Sequence, residues 1–430
     1  MVTRKCLPVF LLCFASCAWS GTYKYQLEAK LHYRSSDDNR FATAFPFSPA
    51  QLPVGQSNAL LETVDPGDHF EISTISFSGL WRSKSGLSAR FRIDAIDLYD
   101  RNPTSDDHEI DLDSLIIKYQ QPLNSAVSDD GHYYLQVGKF AKFERQEARR
   151  LESYGVVSTT FNRFEDSGIE AGIQLGQGLY GKFSYTTGNP VFIRDTNALA
   201  GDNGTRELRE SPNPDPSLGS GIVTLYDAEI ENFDLSDNPE LGLGIGYRWQ
   251  TPNPSQLLDV LLFGYERELA QSRSLNGTFY GADLDLFDLG EVIPGADIRL
   301  PVTGDKKREY GLNIRYQYEQ FNVFGQVVSQ DLGGLDRHGY EIELAYTWNL
   351  PIKITPVIRY SELSNRFIGN RQYPAPSVWW DWTKIDYGLN LKINKNLDAI
   401  IEYTHNEFER GGRVDNNNEL LLTLRIQWPE

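Results

Sequence analysis

Apolar and polar residues alternate with a period of two along most of the chain. From Tyr23 to Tyr33 one register carries Tyr23, Tyr25, Leu27, Ala29, Leu31 and Tyr33, and the other carries Lys24, Gln26, Glu28, Lys30 and His32. A helix cannot hold these two sets on opposite faces, whereas a β-strand must. The last segment repeats the pattern: Leu420, Leu422, Leu424, Ile426 and Trp428 oppose Glu419, Thr423, Arg425 and Gln427, with Leu421 the exception on the polar side. Similar runs fall near 69–81, 86–97, 110–120, 132–140, 166–175, 179–187, 220–231, 240–250, 257–267, 277–287, 309–318, 322–330, 339–349, 352–361, 384–393 and 397–407. Together with the two ends these make 18 strands, or 16 if two of the runs belong to loops.

The length of the runs is as informative as their period. Soluble strands cluster near ~5–6 residues, whereas a tilted membrane-spanning strand needs ~9–11. The connections also differ by side. With the first strand rising from the periplasm, short links such as Trp81–Gly86, Gly176–Gly178, Glu319–Phe321 and Asn394–Asn396 fall at one end, together with Phe233–Pro239 and Leu269–Asn276. The other end carries 34–68, 98–109, 141–165, 188–219, 251–256, 288–308 and 362–383, several of them long and rich in Asp, Asn, Gly and Pro. An open sheet edge in hydrocarbon would leave backbone groups unpaired, so such a sheet has to close. The fold expected is therefore all-β: a transmembrane antiparallel β-barrel of 16–18 strands with short periplasmic turns and long extracellular loops. Aromatic residues near strand ends, among them Tyr25, Trp81, Tyr119, Tyr247, Trp249, Trp348 and Trp428, suit the two interfacial belts.

Met-Val-Thr-Arg-Lys, an apolar run from Cys6 to Trp19 and the small residues Ala18 and Ser20 read as a signal peptide over residues 1–20, cut before Gly21. A lipoprotein cut before Cys17 is the alternative. Either exports the chain, which leaves 21–430 as a single barrel domain in the Gram-negative outer membrane. Cys6, Cys13 and Cys17 all lie in the leader, so the mature chain has no thiol for a disulfide or a metal. Beyond Trp19 no apolar stretch approaches the roughly 20 residues of a membrane helix.

The formal charge is −18, and cleavage removes Arg4 and Lys5 but no acid, leaving −20. Nucleic acid is thereby excluded as a partner, because phosphate binding needs a basic footprint. If the more apolar face meets lipid, the inward register carries Lys30, Arg90, Arg92, Lys182, Arg248, Arg359 and Arg425, together with Glu28, Asp94, Glu266, Glu341, Glu343 and Glu402. A lumen of this polarity and width holds water.

Side chains alone do not fill so wide a barrel, so selectivity needs a loop. The best constriction candidate is 139–165, poor in Gly and Pro, with Lys139, Lys142, Arg145, Arg149, Arg150 and Arg163 against Glu144, Glu147, Glu152 and Glu165. Phe140, Phe143, Val156, Val157 and Phe161 would anchor it to the wall, and guanidinium groups held in a pore favour anions. The competing reading is a short surface helix over 144–152, with its charges paired at three- and four-residue spacing.

Six scattered histidines, no nucleophile–base motif, no zinc spacing and no phosphate-binding glycine loop argue against an enzyme and against any cofactor. Clustered carboxylates such as Asp106, Asp107, Glu109, Asp111 and Asp113 read as a solvated rim, the other use being divalent bridges to lipopolysaccharide phosphates. Trp379-Trp380-Asp381-Trp382 reads as loop packing or an interfacial anchor.

Tyr134-Leu135-Gln136-Val137-Gly138-Lys139-Phe140, the basic stretch through Arg150, and Phe161-Asn162-Arg163-Phe164-Glu165-Asp166-Ser167-Gly168-Ile169 resemble outer-membrane porins of the phosphate-selective family, and more loosely the alginate-export barrels. The resemblance implies an inward-folded third loop with Lys139, Lys142, Arg145, Arg149 and Arg150 near the constriction, recognition by the outer-membrane assembly machinery, and a homotrimer in the porin case. Such barrels finish on an aromatic residue, whereas here Trp428 stands two residues from the end. The function expected is passive diffusion of small hydrophilic or anionic solutes, in a setting of lipid and lipopolysaccharide. The alternatives are a structural or ligand-binding barrel and an exporter of acidic polysaccharide.

Overall fold

The computed structural model describes residues 21–37, 41–43, 59–62, 67–96, 110–123, 131–146, 149–162, 165–176, 178–188, 222–224, 238–251, 256–268, 304–366, 381–410 and 413–429. Residues 1–20, expected above to be a signal peptide, Arg163, the 277–287 run and Trp379–Trp380 lie outside them.

In chain order the strands are β1 (Gly21–Ser36), β2 (Phe41–Thr43), β3 (Ala59–Glu62), β4 (Gly67–Ser83), β5 (Leu87–Ile96), β6 (Ile110–Pro122), β7 (His132–Ala141), β8 (Glu165–Gln174), β9 (Leu179–Thr186) and β10 (Ile222–Thr224). They continue with β11 (Glu240–Gln250), β12 (Gln256–Glu268), β13 (Lys306–Tyr318), β14 (Phe321–Leu332), β15 (Leu335–Tyr346), β16 (Trp348–Asn349), β17 (Lys353–Asn365), β18 (Asp381–Lys392), β19 (Leu397–Arg410) and β20 (Arg413–Pro429). Apart from β2, β3 and β10, each strand pairs antiparallel with its neighbours along the chain. The first meets the last: Leu31 of β1 stands opposite Leu424 of β20, and Lys30 opposite Arg425. Since β16 only continues β15 beyond Thr347, the sheet closes as a 16-strand barrel.

Among the described residues the wall holds 16 of the 18 expected strands. β9 pairs directly with β11, and β12 directly with β13. Of the 220–231 run, Ile222–Thr224 instead lies parallel to β3, which pairs with β2 in a separate three-stranded sheet. Period two specifies a strand but not the sheet that receives it. With β9 followed by β11 in the wall, Gln250 and Gln256 stand at the short-turn end, so the 251–256 link expected among the long loops joins its strands there.

The alternation becomes the two surfaces of the wall. Leu243, Ile245, Leu262 and Val327 face outward and are more than half exposed, as befits a lipid-facing belt. Glu240, Glu309, Arg359, Lys384 and Glu402 point inward and are buried. Where a link is tightest, the backbone needs glycine. Gly333 and Gly334 form a two-residue hairpin with φ of 61° and 95°, a conformation that other residues adopt only at a cost.

Candidate functional site

The connection after β7 does not stay at the rim. The described residues 142–146 and 149–162 cross the inside of the barrel, and their bonds to the wall trace the route. Lys142 comes first, its ammonium 3.1 Å from Glu240 on β11 and 3.3 Å from Glu309 on β13, all three side chains at most 1% exposed. Phe143 stacks on Tyr265 of β12 with ring centroids 4.9 Å apart. The Tyr265 hydroxyl donates to Glu144 at 2.5 Å, and the Glu144 carbonyl accepts from Asn313 and from Gln326.

The room for this turn comes from the inner register of β11, which is Gly242, Gly244 and Gly246. A Cβ on Gly244 would stand 2.9 Å from the Phe143 ring, so an aromatic side chain from the loop fills the place of a wall side chain.

The chain then runs along β15–β20 and β1. Arg150 reaches Glu343 at 3.1 Å, and its carbonyl accepts from Asn390 at 2.5 Å. Glu152 takes Lys30 at 2.7 Å, with Arg425 at 3.9 Å. The amides of Glu152 and Ser153 donate to Glu402 at 2.9 and 3.3 Å, and the Ser153 hydroxyl donates to the same carboxylate. Arg359 holds Asp386 at 2.7 Å while donating to the Ser153 carbonyl at 3.2 Å. Lys384 donates to the Tyr154 carbonyl at 2.6 Å.

A π-helical turn, Ser158–Asn162, returns the segment past Gly339 to Gln326, where Asn162 donates at 3.2 Å. Leu151, Val156, Val157 and Phe161 are buried beneath it. The described residues of 144–152 are irregular, so the surface-helix alternative does not hold for them.

Burial sets the protonation of the loop carboxylates. Desolvation, only partly offset by Lys142, pushes Glu144 up to about 7. At Glu152 burial works the same way, but Lys30, Arg149 and His32 outweigh it and bring the group down to about 2.

The sequence-selected residues separate into three groups. Lys142 and Arg359 are consumed in buried ion pairs. Arg145 pairs with Glu165, Arg149 stacks 3.8 Å above the Tyr154 ring, and Arg150 pairs with Glu343; Arg145 and Arg150 keep about a fifth of their side chains exposed. Arg90 is exposed on the β5 wall, and Arg92 contacts Asp94 at 2.9 Å and Asp113 at 3.8 Å. Arg425 pairs with Asp398 at 2.8 Å, and Arg248 with Asp259 at 2.6 Å.

Lys139 is not in the loop. It belongs to β7, opposite Leu115 and Ser167, on the register that carries Tyr133, Leu135 and Val137 outward. Glu266 also faces out, held by Lys306 and Arg308, because β12 turns Leu261, Phe263 and Tyr265 inward. Both registers of β12 are apolar, one for lipid and one for the loop, so the more apolar face was no guide there. The sequence reading also missed Glu240, Glu309, Asp386 and Tyr265 as docking groups. Their trace in the sequence is an excess of inward acids on the strands facing a basic loop.

Beneath the loop, toward the short-turn end, lies an open recess between Phe143, Arg145 and Arg150 above and Lys182, Arg248 and Arg315 on the wall.

No protein-family model and no curated protein matches the sequence. Among solved structures, OprB of Pseudomonas putida is similar over 98% of this chain and 97% of its own, at 9% identity and a TM-score of 0.53. The outer-membrane channel DcaP of Acinetobacter baumannii is similar at 7% identity and a TM-score of 0.49, with 95% and 98% covered. OccK10 of Pseudomonas aeruginosa is similar at 10% identity and 0.41, with 95% and 99% covered. The closed 16-strand wall, the apolar belt and the charged interior make this a porin-like barrel of the Gram-negative outer membrane.

Proposed function

We propose that the protein is a passive channel for small hydrophilic solutes, narrowed by the basic loop 142–162 and selective for anions. One observation carries the reading: the loop is bonded along the inner wall from β11 round to β20 and β1, which leaves the passage to run between it and the β4–β6 arc. In this reading Arg145, Arg149 and Arg150 line the loop side and Arg90 and Arg92 the wall side, with Glu165, Glu343, Asp94 and Asp113 as the acidic counterweight. Guanidinium groups here keep their charge at every working pH and meet carboxylates and phosphates through two parallel hydrogen bonds. Lipid against the Leu, Ile and Val belt and solutes in the lumen are the partners this reading assigns. The phosphate-selective resemblance is kept only as far as this anion preference.

Planar-bilayer recording of the refolded protein tests both parts. Stepwise openings are expected, with a reversal potential in a salt gradient that favours the anion. Replacing Arg145, Arg149 and Arg150 together by alanine should move that potential toward cations and raise conductance. Correctly folded protein that never opens would instead favour a barrel that binds or displays a ligand. An unchanged reversal potential in the triple variant would remove the loop from selectivity.

A further inference from the structure

Part of the 220–231 run finds a partner away from the wall. Its described part, β10, lies parallel to β3, with Ile222 opposite Leu60, Val223 opposite Leu61 and Thr224 opposite Glu62. On its other side β3 pairs antiparallel with β2, Phe41 opposite Leu61 and Thr43 opposite Ala59. The β-branched and aromatic residues Ile222, Val223, Thr224 and Phe41 favour an extended backbone, so a sheet suits these segments even without the wall.

The paired strands hang from different places on the rim. β2 and β3 belong to the connection between β1 and β4, which leaves the wall at Ser36 and rejoins it at Gly67. β10 belongs to the connection between β9 and β11, which leaves at Thr186 and rejoins at Glu240. Both roots lie at the end opposite the short turns, and β5, β6, β7 and β8 stand between them in the wall. A line joining two separated points on the rim of a closed cylinder is a chord, and this one crosses the mouth inside β5–β8. The passage beside β4–β6 opens beneath it.

Such a link is lightly held. β3 shares three residue pairs with β10 and three with β2, and a sheet this small is stable only marginally by itself. Pairing and parting of β3 and β10 therefore differ little in free energy, and loop motions of this kind are fast.

We infer that β2, β3 and β10 form a strap across the loop-end mouth, which narrows the entrance while β10 is paired with β3 and widens it when they part. The inference rests on the channel reading for its effect on current, but the pairing is tested without any current. Leu61→Cys with Val223→Cys puts two thiols opposite each other in the register. Mild oxidation of folded barrels should join them, read as a change in gel mobility that dithiothreitol reverses and that neither single variant shows. Fold is monitored by the heat-dependent shift in electrophoretic mobility.

In bilayers the unaltered channel should flicker between two current levels. The oxidised double variant should stay at the lower one, with at least half of the open current lost, and dithiothreitol should restore the flicker. Leu61→Pro removes a main-chain N–H from the central strand of the strap and should hold the upper level. Folded barrels that form no disulfide, an oxidised variant with undiminished current, or a Leu61→Pro channel that flickers as before would each overturn the strap. A disulfide that forms in a barrel that never conducts would keep the pairing but overturn the channel and the gating with it.

Discussion

Lys142 shows at the scale of one residue what holds the loop in place. Its ammonium is shared by Glu240 and Glu309 with no solvent to screen it, so its removal leaves these two buried carboxylates to Lys307, at 2.9 and 3.8 Å, and to the more distant Arg267. Loss of one partner from such a pair costs roughly 3–5 kcal/mol, far more than a surface ion pair contributes. Lys142→Ala should therefore release the loop, and trypsin should then cut at Arg149 or Arg150 in folded barrels, where the unaltered protein resists.

The two loop carboxylates pull in opposite directions with pH. Glu144 has a folded value of about 7, above the usual carboxylate value, so its support for docking is complete at low pH and is lost as pH rises through about 7. Glu152, at about 2, supports docking above the ordinary carboxylate range and loses that support as pH falls toward 2. Limited proteolysis of the loop should consequently be faster at pH 8 than at pH 5.5. Glu144→Gln should flatten that difference, and an unaltered pH profile in this variant would show that Glu144 is not the group responsible.

At the scale of elements, the loop and the wall are complementary in shape as well as charge. β11 gives up three inward side chains as Gly242, Gly244 and Gly246, and Phe143 occupies the space over Gly244. On the loop side Gly155 lies against the Glu341 carboxylate so closely that a Cβ has no room. Gly244→Val and Gly155→Ala each overfill a packed contact, a change that costs about 1–3 kcal/mol. Both should leave the barrel closed but displace the loop, read as noisier and larger single-channel currents. A conservative change at an outward position such as Val327→Ile should leave the currents as they are.

For the whole molecule, the decisive contact joins β1 to β20. Gln26–Ser36 of β1 pair with Glu419–Pro429 of β20, so no strand edge is left open to hydrocarbon. A closed ladder of this kind resists detergent. Unboiled protein should run faster than boiled protein on a denaturing gel, and removal of Arg413–Pro429 should abolish the fast form. The net charge of −18 is not uniform over this cylinder, since the basic loop and recess lie inside an otherwise acidic protein. Lumen selectivity is therefore expected to follow the local residues and not the total.

Period-two alternation in runs of spanning length is a local property, and it was enough for the closed barrel, for the outward belt and for a loop between β7 and β8 that differs from the rest. These follow from sequence because the choice between lipid and water is made at each residue separately. Strand number, the phase of β12 and the partners of the loop were decided only by packing. Whether 220–231 joins the wall, whether Glu266 or Tyr265 points inward, and which acids receive Lys142 and Ser153 all depend on segments a hundred or more residues away, brought together only once the sheet has closed.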